Sequence, residues 1–241
     1  MDLQLIRNAT LRLRFAGVEF LIDPMLGVKG SIRAMGDSTE RNPTVDLPCP
    51  IAEVLKGVDV VLVSHMHPDH FDEAAFGVVP RDVPVFCQPG DIDKLAAAGF
   101  SCTALEGPTR IGGAEITPVA ASHGAGPIVE RMGSVLGLVF RAEDEPTLYW
   151  AGDTILFDSV RDTLSAVQPK VIVTHSGGAT AAGSNDHHGR CRHARNRPNR
   201  AGCDGDCGPP RSGRSRPGNP TGAAPSGHRR RDRLYAVADP R

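Results

Sequence analysis

Apolar patterning in this chain stops at residue 184, and that boundary limits where a core can be built. Of the 57 residues from Asn185 to Arg241, only Leu234 and Val237 are Leu, Ile, Val or Phe. A segment with so little to bury cannot offset the entropy of ordering its backbone. The core must come from residues 1–184, enough for one domain, and 185–241 is expected to be a disordered Arg/Pro/Gly-rich tail. Charge divides at the same place. The tail carries 13 Arg and no Lys against 5 Asp and no Glu, a formal +8, so the chain's −1 leaves −9 on the body. An arginine-rich end raises the question of nucleic-acid binding. The body has one Trp and no aromatics interleaved on basic patches, which argues against it.

Within the body, Leu11, Leu13 and Phe15 alternate with polar residues, as do Val18, Phe20 and Ile22 after a turn at Ala16-Gly17. That is a β-hairpin with one buried face, closed by Asp23-Pro24. Residues 25–50 read as a long loop near a site. Further strands are expected at 58–63, 83–87, 114–119, 134–141, 147–151 and 171–174. Helices are expected at 51–56, 71–76, 91–98 and 156–167. Helices set between strands predict a layered α/β or α+β architecture.

The run Val61 to Asp72 reads VLVSHMHPDHFD. His65 and His67 leave the end of a buried strand two residues apart, so in extended chain they point the same way. Asp69 and His70 follow from a turn stiffened by Pro68. Imidazole nitrogens and a carboxylate at this density suit neighbouring divalent ions, with Zn2+ the best match and Mn2+ or Fe2+ compatible with the ligand type. The competing reading is a polar turn with hydrogen-bonded histidines.

His-x-His-x-Asp-His after a buried strand resembles the signature of the metallo-β-lactamase superfamily. Ser122-His123-Gly124 and Ala151-Gly152-Asp153-Thr154 resemble that family's later metal motifs, in the expected order. The resemblance covers roughly residues 1–184. It implies an αββα sandwich with a dinuclear metal site along one edge of two sheets. It also implies that His65, His67 and His123 hold one ion, that Asp69 and His70 hold the other, and that Asp153 bridges. Asp153 could alternatively cap a helix starting near Ile155. Two cations sharing a water lower its pKa toward neutrality and yield a hydroxide nucleophile. Asp69 is placed to accept the nucleophile's proton. The opening LIRNATLRLRFAGVEFLIDPML and the VKGSIR segment resemble the branch of hydrolases similar to L-ascorbate-6-phosphate lactonase, implying an ester, lactone or phosphoester of a small polar substrate.

That family takes one more histidine from a late strand. His175, in VIVTHSGGA, sits after the wrong strand and is expected to line the pocket or serve structure; an Asn commonly stands there in the branch. The codons of residues 185–190, read one base later, permit TIIMD, and those spanning 208–216 permit VHLEA. Similar segments stand at about these places in the branch. Residues 185–241 are therefore read as a frameshift product, against the alternative of an evolved basic arm. On that reading the fold is incomplete at its C-terminal end, and His187 and His188 lie near ligands only by coincidence. The first metal site survives better than the second, and activity is impaired. An inactive relative that keeps the fold, or a phosphodiesterase-type hydrolase, are the alternatives.

No CxxC pair occurs among the six cysteines, and the N-terminus shows no secretory pattern. No apolar run approaches a membrane span. The expectation is a cytoplasmic protein with free thiols, acting on a small molecule without membrane or nucleic-acid partners; the residues do not disclose its oligomeric state.

Overall fold

The computed structural model describes residues 1–33 and 39–175, together with the backbone of 234–238. Two six-stranded sheets face each other. The first runs in the order β1 (Asp2–Arg7), β2 (Thr10–Phe15), β3 (Val18–Ile22), β4 (Val60–Val63), β5 (Val85–Cys87) and β6 (Cys102–Ala104). β1 to β3 are antiparallel, and β3 to β6 are parallel. The β2–β3 turn is tight because Ala16 and Gly17 both take positive φ, 50° and 80°, which matches the twist of the flanking strands.

The second sheet follows the order β12 (Leu234–Ala238), β11 (Val171–His175), β10 (Glu145–Trp150), β9 (Leu136–Ala142), β8 (Ala114–Ala120) and β7 (Thr109–Ile111). Only the β10–β11 pair is parallel here. β12 comes from the segment expected to be disordered, and its backbone pairs antiparallel with β11. These five residues contain the only Leu and Val of that segment. The remaining readings of 185–241, including the frameshift and His187 and His188, lie outside the described residues.

Alternation along the strands sends one set of side chains into the gap between the sheets. Leu11, Leu13, Phe20 and Leu62 from the first sheet meet Ile116, Phe140, Leu148 and Trp150 from the second, all buried. Phe140 packs edge-on against Phe15 and Phe20, with ring centroids 5.8 and 5.7 Å away. Such pairs add roughly 0.5–1.5 kcal/mol each beyond their burial. The outer face of the first sheet is covered by α1 (Ile51–Leu55), α2 (Glu73–Val78) and α3 (Ile92–Ala97), through Val54, Ala75 and Leu95. The outer face of the second is covered by α5 (Asp158–Val167), through Val160. The expected αββα sandwich is the observed one. A further short helix, α4 (Ile128–Met132), stands between β8 and β9.

Strand direction positions the site. β3 and β4 are parallel, as are β10 and β11, and chain leaving parallel strands collects at one edge of the sheet. Asp23, the Ser64-His65 step, Asp153 and His175 all lie at or just past those carboxyl ends.

Candidate metal centre

His65 follows β4 by two residues and is 1 % exposed. Its Nε2 lies 2.9 Å from His67 Nδ1 and 3.1 Å from His123 Nε2. His123 arrives from the end of β8, where Thr154 Oγ1 accepts from the Ser122 amide at 3.0 Å and so ties that turn to the one carrying Asp153. His67 closes the intervening turn, its carbonyl accepting from the amides of His70 and Phe71. That turn brings His70 back beneath His65, where it is 2 % exposed. His70 Nε2 stands 3.2 Å from Asp153 Oδ2.

Among the described residues, two groups of donors therefore converge within 4.8 Å: His65, His67 and His123, and His65, His70 and Asp153. Two ligands each about 2.0–2.1 Å from one tetrahedral ion stand roughly 3.3 Å apart. The contacts of 2.9, 3.1 and 3.2 Å lie within a few tenths of that spacing. The donor set of imidazoles with one carboxylate is what Zn2+ and its neighbours take. The residues fit the group.

Electrostatics agree with the fit. Burial, then the neighbouring His70 charge, pushes His65 far below the ordinary histidine value, which favours the neutral imidazole. Burial likewise lowers His123. His70 moves the other way: burial opposes its charge, but the carboxylates of Asp153 and Asp23 outweigh it. Asp153 is held well below the usual carboxylate range, since the His70 charge and hydrogen bonds from His175 and His70 overcome its burial.

Asp69, expected to ligate the second ion, is half-buried in the turn and belongs to neither convergent group. Asp153 caps no helix: α5 begins at Asp158 behind Phe157, without a side-chain cap. Two residues matter more than their sequence context suggested. Asp23 accepts from the Ser64 amide at 2.8 Å and from Ser64 Oγ at 2.7 Å, and it holds His70 Nδ1 at 2.7 Å. His175, expected to line the pocket or serve structure, places Nδ1 2.9 Å from Asp153 Oδ1. The sole hint of Asp23 was its place at a strand end before a proline. A cavity of about 510 Å³ is walled by Ala120, Ala121, Ser122, Val129, Glu130 and Val135, among others, and meets the donor set only through Ser122, the chain neighbour of His123.

Two facing mixed sheets, flanked by helices and carrying His and Asp donors on one edge, define a metal-dependent hydrolase of the β-lactamase superfamily. The model of a beta-lactamase superfamily domain matches residues 19–193. The chain belongs to the UPF0173 metal-dependent hydrolase family. It is 38% identical over 183 residues to the UPF0173 protein YddR of Bacillus subtilis, covering 73% of this chain and 72% of that protein. It is 33% identical to a UPF0173 metal-dependent hydrolase of Azorhizobium caulinodans, with 73% of each chain covered. Among solved structures, a possible metal-dependent hydrolase from Veillonella parvula superposes with a TM-score of 0.73 at 32% identity, over 76% of this chain and 74% of that one. An isothiocyanate hydrolase from Delia radicum gut bacteria superposes with a TM-score of 0.68 at 36% identity, over 71% and 70%. Among the described residues, no helix is long and apolar enough to cross a membrane.

Proposed function

We propose that this chain hydrolyses a small electrophile at a paired divalent-cation centre, with an isothiocyanate-type carbon as the first candidate substrate. The observation that carries the reading is the convergence of His65, His67 and His123 beside His70 and Asp153. When bound, divalent cations of this kind bring a water's pKa toward neutrality and polarise the group under attack. His65, His67 and His123 would hold one ion, and His70 and Asp153 the other, with Zn2+ the first choice and Mn2+ or Fe2+ as substitutes. Asp69 is assigned the proton given up by the attacking water, and a share in the second ion's ligand set.

The substrate class draws on the isothiocyanate hydrolase at 36% identity, and on the mainly small and apolar wall of the cavity beside His123. A cavity near 510 Å³ suits a small molecule. Addition of water to an isothiocyanate carbon gives a thiocarbamate, which breaks to an amine and carbonyl sulfide. An ester, lactone or phosphoester is the second reading, favoured by the resemblance of the β1–β3 sequence and the VKGSIR segment to lactonase-type hydrolases. The thiols of Cys49, Cys87 and Cys102 are unpaired, which supports a reducing, cytoplasmic setting.

The test is hydrolysis by the purified full chain of phenethyl isothiocyanate, read as released amine, beside p-nitrophenyl acetate and bis-p-nitrophenyl phosphate. Activity should be abolished by chelator, restored by Zn2+ or Mn2+, and absent in His67→Ala. Cation affinity in His67→Ala should fall by at least about 10–100-fold, the range seen even for residues behind the ligands. Turnover that survives chelation, or persists in His67→Ala, refutes the reading.

A further inference from the structure

Asp153 would face the cations with one oxygen while its other oxygen is held from behind. Oδ2 points at His70 Nε2, 3.2 Å away, with His123 Nε2 at 3.9 Å. Oδ1 instead meets His175 Nδ1 at 2.9 Å. We propose that His175 is a positioning residue, whose hydrogen bond to Asp153 fixes the carboxylate in the orientation that holds a divalent cation on the His70 side of the centre. The role rests on the metal reading above.

Strand pairing explains why the contact is dependable. β10 and β11 pair in parallel through Trp150 and Val173, and the Ala151 amide extends the ladder by donating to the Val173 carbonyl at 2.9 Å. Asp153 lies two residues beyond Ala151, and His175 two beyond Val173. With Trp150 opposite Val173, Asp153 lies one position out of step with His175 at the end of β11 and is turned toward it by Gly152, whose φ is +63°. The imidazole is also fixed in plane: it stands edge-on to the buried Trp150 ring at 5.1 Å and 88°. Its side chain is 12% exposed.

A carboxylate can only accept, so Nδ1 must carry the hydrogen. Without that donor, rotation about the terminal torsion of Asp153 is broad and roughly two-fold, and the ligand oxygen is no longer specified. Nothing in this requires His175 to touch an ion, and it joins neither convergent donor group. Residues acting behind a ligand in this way typically change cation affinity 10–100-fold.

The experiment uses the full chain, stripped of metal and titrated with Co2+, whose absorption spectrum reports each occupied site. His175→Phe keeps a ring against Trp150 but lacks the donor. His175→Asn places an amide nitrogen at the same number of bonds from Cβ as Nδ1. The weaker Co2+ site should lose about 10–100-fold in affinity in H175F, while the tighter site changes by less than about threefold. H175N should bind at both sites within about threefold of wild type. His175→Leu is a second donor-free variant, and melting curves in chelator separate loss of fold from loss of donor. Nitrogen NMR of the apo chain should find the proton on Nδ1 of His175. H175F and H175L binding as wild type, or H175N as impaired as H175F, overturns the role alone. A wild-type chain that takes up no Co2+ overturns the metal centre, and this role with it.

Discussion

Asp23 and His70 stand far apart in the chain, yet a carboxylate oxygen of one lies 2.7 Å from Nδ1 of the other, with both side chains out of solvent. The same carboxylate accepts from the backbone and hydroxyl of Ser64. One anion therefore orients two successive parts of the histidine segment, and directs His70 Nε2 toward Asp153.

Replacing Asp23 by Ala would leave the Ser64 donors and His70 Nδ1 buried without their acceptor. The expected loss is about 3–5 kcal/mol, the range for breaking a buried charged pair. Cation affinity should fall about 10–100-fold, because His70 loses its orientation. Urea unfolding and metal titration measure the two effects separately. A variant as stable as wild type that binds cations equally well would show that Asp23 does not organise the centre.

Gly152 is required by space as well as by conformation. Its φ is +63°, and a Cβ there would lie 2.5 Å from the Leu136 carbonyl oxygen and 3.0 Å from the Trp150 ring. Gly152→Ala must displace either β9 or the turn that presents Asp153. A loss of about 1–3 kcal/mol is expected from overpacking, together with weakened cation binding. Thermal melting and Co2+ titration read both, and unchanged values would mean the turn relaxes without moving Asp153.

Tyr149 is fully buried, and its hydroxyl has no partner among the described residues. Removing an unsatisfied buried hydroxyl without changing the ring relieves a desolvation penalty. Tyr149→Phe should stabilise the chain by up to about 1 kcal/mol. The urea midpoint decides: a drop would show that the hydroxyl is engaged in solution.

Burial pushes the Tyr149 phenol up to about 12 from its ordinary 10.0. Burial, then the neighbouring Cys102 and Asp91, raises the Cys87 thiol to about 12 from 9.0. Both groups stay neutral in the fold while the unfolded chain ionises first. Above their ordinary values the folded state therefore binds more protons, and stability falls as pH rises. It should be fully present below pH 9 as far as these two groups are concerned. It then declines through 9 to 12 for Cys87 and 10 to 12 for Tyr149. Urea midpoints from pH 8 to 11 test this, and Cys87→Ala and Tyr149→Phe should each flatten the decline. A double variant with the wild-type slope would assign the effect elsewhere.

The regular elements were legible because they are local. The β2–β3 hairpin, β4 and α5 declare themselves through period-2 alternation, an apolar run and an amphipathic turn pattern. β6 and β7 did not, since three residues each (CTA and TRI) are too short to show a period. β1 (DLQLIR) carries a blurred alternation, and in the fold four of its six residues are exposed or half-exposed. β12 was hidden by its neighbours and by its own two alanines, a five-residue LYAVA run inside an arginine-rich segment.

The sequence by itself determined the kinds of candidate donor, their order, and the strands that deliver them. His65, His67, His70, His123 and Asp153 are each announced by a motif that begins or ends near an apolar run. Tertiary structure alone decided the partners: Asp23 behind His70, His175 behind Asp153, and Asp69 outside both convergent groups. Local patterning fixes which face a side chain takes. Which side chains meet depends on parallel strands whose carboxyl ends share an edge, and partners joined through that edge can be dozens of residues apart with no local signal.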